Sequence, residues 1–210
     1  MDNYGNKLVF VGGMGAGKTT AIRAISDIEP VSTDMPLSID ATEEKSLTTV
    51  ALDYSSVDLD DGELLHVYGV PGQKYLNFMW PMVCTGAIGI IVLVNACQGD
   101  AVDSTSELLK DFGVLAPEAS FVVGVTKSDL APSFQLTTFR DALNAGGFRM
   151  PVMKVDARVT TQVEFLIKTL LSYQHAGSQL SQGHWAGPCR FPAVPSGSSG
   201  TPPTWCCSGR

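Results

Sequence analysis

The stretch Leu8-Val9-Phe10-Val11-Gly12-Gly13-Met14-Gly15-Ala16-Gly17-Lys18-Thr19 decides the fold. Its second half fits G-x-x-x-x-G-K-[ST], with Gly12, Gly17, Lys18 and Thr19 at the set positions. The apolar run before it reads as a strand, and Thr20-Ala21-Ile22-Arg23-Ala24-Ile25 after it reads as a helix. A loop in that setting is a phosphate cradle. Glycines let the backbone bend so that successive N–H groups point inward, and the helix N-terminus adds partial positive charge. Lys18 is then placed to reach the terminal phosphates and Thr19 to ligate Mg²⁺, with Gly13, Met14, Gly15, Ala16 and Thr20 completing the phosphate-binding run. The competing reading is a Gly-rich turn with an exposed lysine, and it does not account for the strand and helix on either side.

Further along, Thr126-Lys127-Ser128-Asp129 follows the apolar run Phe121-Val122-Val123-Gly124-Val125. A carboxylate at Asp129 can accept two hydrogen bonds from guanine N1–H and the 2-amino group, a donor pair that adenine lacks. The aliphatic stem of Lys127 can lie along the base. Asp156-Ala157-Arg158 ends another expected strand, where its backbone supports a base or Asp156 caps a helix. Gly69-Val70-Pro71-Gly72-Gln73 also follows a strand. There Gly72 can offer its N–H to a γ-phosphate and Gln73 can orient an attacking water; the alternative is a plain Pro-Gly turn. Residues 30–49 read as a long polar loop without periodicity, and such loops are usually functional. Thr49, or else Thr48, could close over Mg²⁺ and γ-phosphate.

The chain has 210 residues, 44% hydrophobic and 17% charged, with a net charge of −7. That is a globular composition. Its acidity argues against nucleic acid as the main partner and against a polybasic hold on anionic membranes. The polar start and the lack of a long uninterrupted apolar run imply neither a secretory leader nor stable membrane insertion, hence a cytoplasmic location. Cys84 and Cys97 have no metal-ligand spacing and are expected to be buried free thiols.

Strands are expected at 7–11, 50–57, 64–68, 89–94, 121–125 and 152–155, and helices at 19–28, 104–112, 134–145 and 161–173. Asp60-Asp61-Gly62 reads as a hairpin turn, and Gly146-Gly147 as a helix stop. The implied fold is α/β: a P-loop domain with a six-stranded, mostly parallel sheet, one antiparallel strand and helices on both faces. Residues 1–175 form this domain. Residues 176–210 hold five of the twelve prolines, six glycines and no Asp or Glu, and read as a disordered tail.

With these pieces in order, the chain resembles the small Ras-like GTPases, within them the bacterial branch that includes the Mgl-type polarity GTPases, and most of all uncharacterised bacterial GTPases encoded beside roadblock/LC7-type proteins. The likeness spans roughly residues 5–173. It is carried by Gly12–Thr19, Thr48-Thr49-Val50-Ala51-Leu52-Asp53-Tyr54, His66-Val67-Tyr68-Gly69-Val70-Pro71-Gly72-Gln73 and Thr126-Lys127-Ser128-Asp129. The resemblance implies GTP and GDP as ligands with Mg²⁺. It implies Lys18 and Gln73 as catalytic residues, Thr19 and Thr49 at the metal, and Gly72 at the γ-phosphate. Lys127 and Asp129 would be guanine selectors, and Asp156-Ala157-Arg158 would replace Ser-Ala-Lys.

There are three departures from the family pattern. Gly69 replaces the usual Asp, Thr126 replaces the more common Asn, and the first switch, residues 30–49, holds no arginine. Slow hydrolysis aided by a roadblock/LC7-type or other activating partner follows. Tyr75, Phe78, Met79 and Trp80 of the second switch are candidate partner contacts, although Phe78 and Trp80 suit the core equally well. The rival readings are a P-loop ATPase and a nucleotide-holding pseudo-GTPase scaffold.

Overall fold

A computed structural model describes residues 6–26, 29–37, 48–58 and 64–180. The chain runs β1 (Lys7–Gly12), α1 (Lys18–Ile25), β2 (Val31–Leu37), β3 (Thr48–Asp58), β4 (Leu64–Pro71), a 3-10 helix (Lys74–Met79) and α2 (Trp80–Cys84). It continues through β5 (Ala87–Asn95), α3 (Ala101–Leu115), β6 (Ser120–Thr126), α4 (Leu136–Ala145), β7 (Val152–Lys154) and α5 (Thr160–Leu180). The strands form one sheet in the order β2-β3-β4-β1-β5-β6-β7. β3 alone runs against its neighbours, pairing antiparallel with β2 and with β4.

All six expected strands are present, and β2 is a further one. The stretch read as a loop without periodicity therefore contains an edge strand, in which Pro36 lies opposite Thr49. Proline is tolerated at a sheet edge, where its missing N–H faces no partner strand. The remainder of that loop and the Asp60-Asp61-Gly62 turn lie outside the described residues.

Two apolar clusters sandwich the sheet. Leu8, Phe10, Ile22, Val67, Val163, Leu166 and Leu170 pack beneath α1 and α5. Val9, Val11, Ile90, Val92, Leu109, Phe112, Phe139 and Leu143 pack beneath α2, α3 and α4. Alternate residues of β1 thus serve opposite layers, as a strand's period of two requires, and both sets are fully buried. β5, the almost wholly apolar run, sits beside β1 at the sheet centre. α4 stops at the expected glycines: Gly147 takes φ +87°, and the Phe148 N–H donates to Leu143 O at 3.0 Å. α5 extends through Leu180, so residues 176–180 belong to a helix and not to the tail. Residues 181–210 lie outside the described set.

Because β4, β1, β5, β6 and β7 are parallel, their C-terminal ends share one edge. The loops after β1, β4, β6 and β7 all emerge there. That edge is where open α/β sheets bind ligands.

Candidate functional site

The loop between β1 and α1 has the shape of a phosphate cradle. Gly15 and Gly17 take φ +70° and +92°, a left-handed backbone that L side chains resist. Any side chain on Gly12 would run into the Leu93 carbonyl of β5, so the strand end admits only glycine. Lys18 Nζ donates to Gly12 O at 2.8 Å and to Gly13 O at 3.0 Å, which draws the ammonium into the loop. Burial lowers its pKa, and the nearby Asp53 carboxylate partly restores it. An ammonium has three N–H groups, so a third remains for a ligand oxygen.

Asp53 is the residue that sequence reasoning missed. It is 4% exposed on β3, and the Thr19 hydroxyl donates to its Oδ2 at 2.5 Å. The sheet register puts Asp53 directly opposite Gly69. A Cβ on Gly69 would lie 3.0 Å from Asp53 Cβ and 2.7 Å from Ile22 Cδ1. Gly69 thus leaves the space that the Asp53 side chain occupies across the ladder. A signal was legible: Asp53 interrupts the run Val50-Ala51-Leu52, and a hairpin turning about Asp61 places 53 opposite 69.

Gly72 reaches the phosphate loop. The Gly72 N–H, expected at a γ-phosphate, donates to Gly12 O at 3.0 Å and is already engaged. Gln73 Oε1 is buried without a hydrogen-bond partner among the described residues. An orphaned acceptor of this kind is costly unless a water or ligand completes it. Thr48 and Thr49 are residues of β3 rather than of a loop, paired with Leu37 and Pro36. Their side chains lie outside the described ones. Arg23 pairs with Glu29 at 3.0 Å, and Arg158 pairs with Asp156 at 2.7 Å.

The loops after β6 and β7 join the cradle to form a cleft of about 190 Å³, lined by Gly17, Thr20, Thr126, Lys127, Asp129, Leu130, Asp156, Ala157 and Arg158. Lys127 is at φ +56°, the one positive φ among described non-glycine residues, and such strain concentrates at functional sites. Its Nζ extends to within 3.8 Å of where a Gly15 Cβ would stand, so the side chain spans from the Thr126–Asp129 turn to the phosphate loop. The buried Thr126 hydroxyl lies 3.0 Å from Ala16 O and 3.1 Å from Val94 O. It has one proton and donates to one of them at a time. Replacing Asn by Thr therefore keeps a tie between the two loops.

Asp156 organises its own turn. Its Oδ1 accepts from the Arg158 N–H and Nε at 2.9 Å, and its Oδ2 accepts from Arg158 Nη2 at 2.7 Å. These bonds hold its pKa down at about 2. It does not cap α5, which begins four residues later at Thr160.

The residues expected in a second switch and the cysteines divide differently from expectation. Met79 and Trp80 are buried, with Trp80 Nε1 donating to Pro71 O at 3.1 Å, whereas Tyr75, Phe78 and Met82 are exposed. Cys84 is buried and its thiol is pushed up to about 11 by desolvation. Cys97 is exposed, contrary to expectation, because it sits in the loop after β5 rather than within the strand.

No helix among the described residues is long and apolar enough to cross a membrane. No family model matches the chain. Over 93 residues it is 32% identical to an uncharacterized protein of Methanocaldococcus jannaschii, an overlap of 44% of this chain and 53% of that protein. The chain thus spans about half the length of the relative it matches.

Proposed function

We propose that this chain is a cytoplasmic guanine-nucleotide switch of the small Ras-like GTPase type, nearest to the Mgl-type branch, that binds GTP and GDP with Mg²⁺ and hydrolyses GTP slowly. One observation carries the reading: the phosphate loop and the Thr126–Asp129 turn line a single cleft, tied together by the Thr126 hydroxyl. Phosphates suit the cradle at Gly12–Thr19, and a base suits the end that holds Asp129.

Thr19 and Asp53 are the residues suited to Mg²⁺, Thr19 as a ligand and Asp53 through its hydrogen bond to Thr19. Such an ion neutralises charge that builds on the phosphates, and it usually keeps several waters besides one or two protein ligands. Lys18 adds a fixed positive charge in the loop. The orphaned Gln73 Oε1 suits an acceptor that orients water. Exposed Tyr75, Phe78 and Met82 suit contact with a roadblock/LC7-type or other activating partner.

The test is competition binding of labelled GTP against GDP, ATP and XTP, using the wild type and Asp129→Asn. Guanine selectivity is expected in the wild type. The variant should lose about tenfold or more of its GTP affinity, as when a charged acceptor is removed, and should gain affinity for XTP. Equal affinity of the wild type for ATP would favour the P-loop ATPase reading. The engaged Gly72 N–H supports a second reading, a nucleotide-holding scaffold without turnover. Single-turnover phosphate release, with and without a roadblock-type partner, separates the two.

A further inference from the structure

We propose that the segment Phe191-Pro192-Ala193-Val194-Pro195 of this same chain docks into an aromatic groove on α5. α5 has two faces. Val163, Leu166, Ile167 and Leu170 recur at helical spacing and are buried against the sheet. Phe165, Lys168, Thr169 and Ser172 recur at i, i+3, i+4 and i+7 on another face. With Tyr173 and Pro151 they line a groove of about 410 Å³, and none of these residues belongs to the cleft at the phosphate loop. Phe165 is 63% exposed there. The Tyr173 hydroxyl donates to Arg149 O at 3.1 Å, which pins its ring between α5 and the segment before β7. The Thr169 hydroxyl donates to Phe165 O at 2.8 Å and is committed within the helix, and Lys168 is paired with Glu164 at 3.4 Å. The groove thus offers rings and aliphatic stems, with no carboxylate in its lining.

Such a surface suits proline. Aromatic-lined grooves take P-x-x-P segments in polyproline II form, whose prolines three apart share one face and whose backbone has no internal hydrogen bonds to lose. Pro192-Ala193-Val194-Pro195 fits that pattern, Phe191 adds an aromatic anchor, and no charged residue occurs from Phe191 to Gly209. Position along the chain selects this occupant. α5 ends at Leu180, seven residues beyond Tyr173, which is about 10 Å along the helix axis. Eleven further residues lead to Phe191, and eleven extended residues span at most about 40 Å. The segment therefore reaches back over the whole groove, whose far end at Phe165 lies about 22 Å from Leu180 along the helix. A tethered segment meets its groove at an effective concentration on the order of millimolar, so a contact too weak to hold a separate partner is occupied within one chain.

The test uses the full chain with a photoreactive benzophenone side chain in place of Val194. Isotope-labelled and unlabelled chains are mixed and irradiated, and the cross-links are mapped by mass spectrometry. Cross-links within one chain from position 194 to Pro151 and to residues 165–173 are expected. Phe165→Ser, at an exposed position that leaves the core intact, should lower their yield about tenfold, as loss of one aromatic contact implies. Pro192→Ser combined with Pro195→Ser alters no residue of the described fold and should lower the yield likewise. Cross-links joining labelled to unlabelled chains would make the groove a contact between copies and overturn docking within the chain. Cross-links scattered over the surface, none at all, or a yield at the groove indifferent to both variants would overturn it too. No nucleotide enters this experiment, so its outcome stands whichever way the competition between GTP and ATP falls.

Discussion

Asp53 carries the sharpest consequence at the residue scale. Its buried carboxylate on β3 accepts from the Thr19 hydroxyl, and under the proposed function it stands in for a carboxylate at position 69. Asp53→Ala should therefore cut Mg²⁺-dependent nucleotide affinity about 10–100-fold, the usual cost of losing an outer-shell partner of a metal. Affinity without Mg²⁺ should change far less. Gly69→Asp alone should destabilise the fold, because its Cβ would stand 2.7 Å from Ile22 Cδ1 beside a second acid. Combined with Asp53→Gly, it should recover part of the Mg²⁺ dependence. Titration of nucleotide affinity against Mg²⁺ in the three variants decides the matter. A double variant no better than Asp53→Ala would show that the two positions are not interchangeable.

At the scale of elements, the segment from β4 to α2 is held at both ends. The Gly72 N–H is bonded to Gly12 O, and Trp80 is packed on Phe112 with ring centroids 4.7 Å apart. Between them lie the 3-10 helix and its exposed Tyr75 and Phe78. A γ-phosphate can recruit the Gly72 N–H only if its bond to Gly12 opens. A bistable segment ordered by a third phosphate is a known form of switch. Amide hydrogen exchange across residues 69–84 should thus differ between GDP and a non-hydrolysable GTP analogue, with Gly72 and Gln73 the most affected. Identical exchange in the two states would remove the switch and leave a static nucleotide holder. Phe112→Ala should cost about 3–5 kcal/mol in any state, since it hollows out the packing under α2.

For the whole molecule, binding at a cleft built from three loops couples ligand affinity to the stability of the sheet that positions them. GDP with Mg²⁺ at about one hundred times its Kd should add about 2.7 kcal/mol. For a domain of this size that is a rise of about 5–10 °C in the melting temperature. ADP at the same concentration should give little shift, and a differential melt reads both. Equal shifts would place the affinity in the phosphates alone.

The local code of this chain is strong where a residue's role depends on its neighbours in sequence. The pattern at Gly12–Thr19, the apolar run of β5 and the glycines after α4 each satisfy a backbone requirement within a few residues, so the layers and the position of the phosphate loop were legible in advance. The strand β2 was not, because an edge strand is half solvent and carries proline and polar residues that read as loop. Trp80 and Phe78 could not be told apart until the packing of α2 against α3 put one under the sheet and left the other in water. Asp53 needed the fold to bring Thr19 of α1 against β3, and Arg158 needed the loops after β6 and β7 to meet. Sequence by itself determined which chemistry each segment carries. Only the tertiary structure decided which side chains from distant segments share a site, because strand register and loop proximity are properties of the folded sheet.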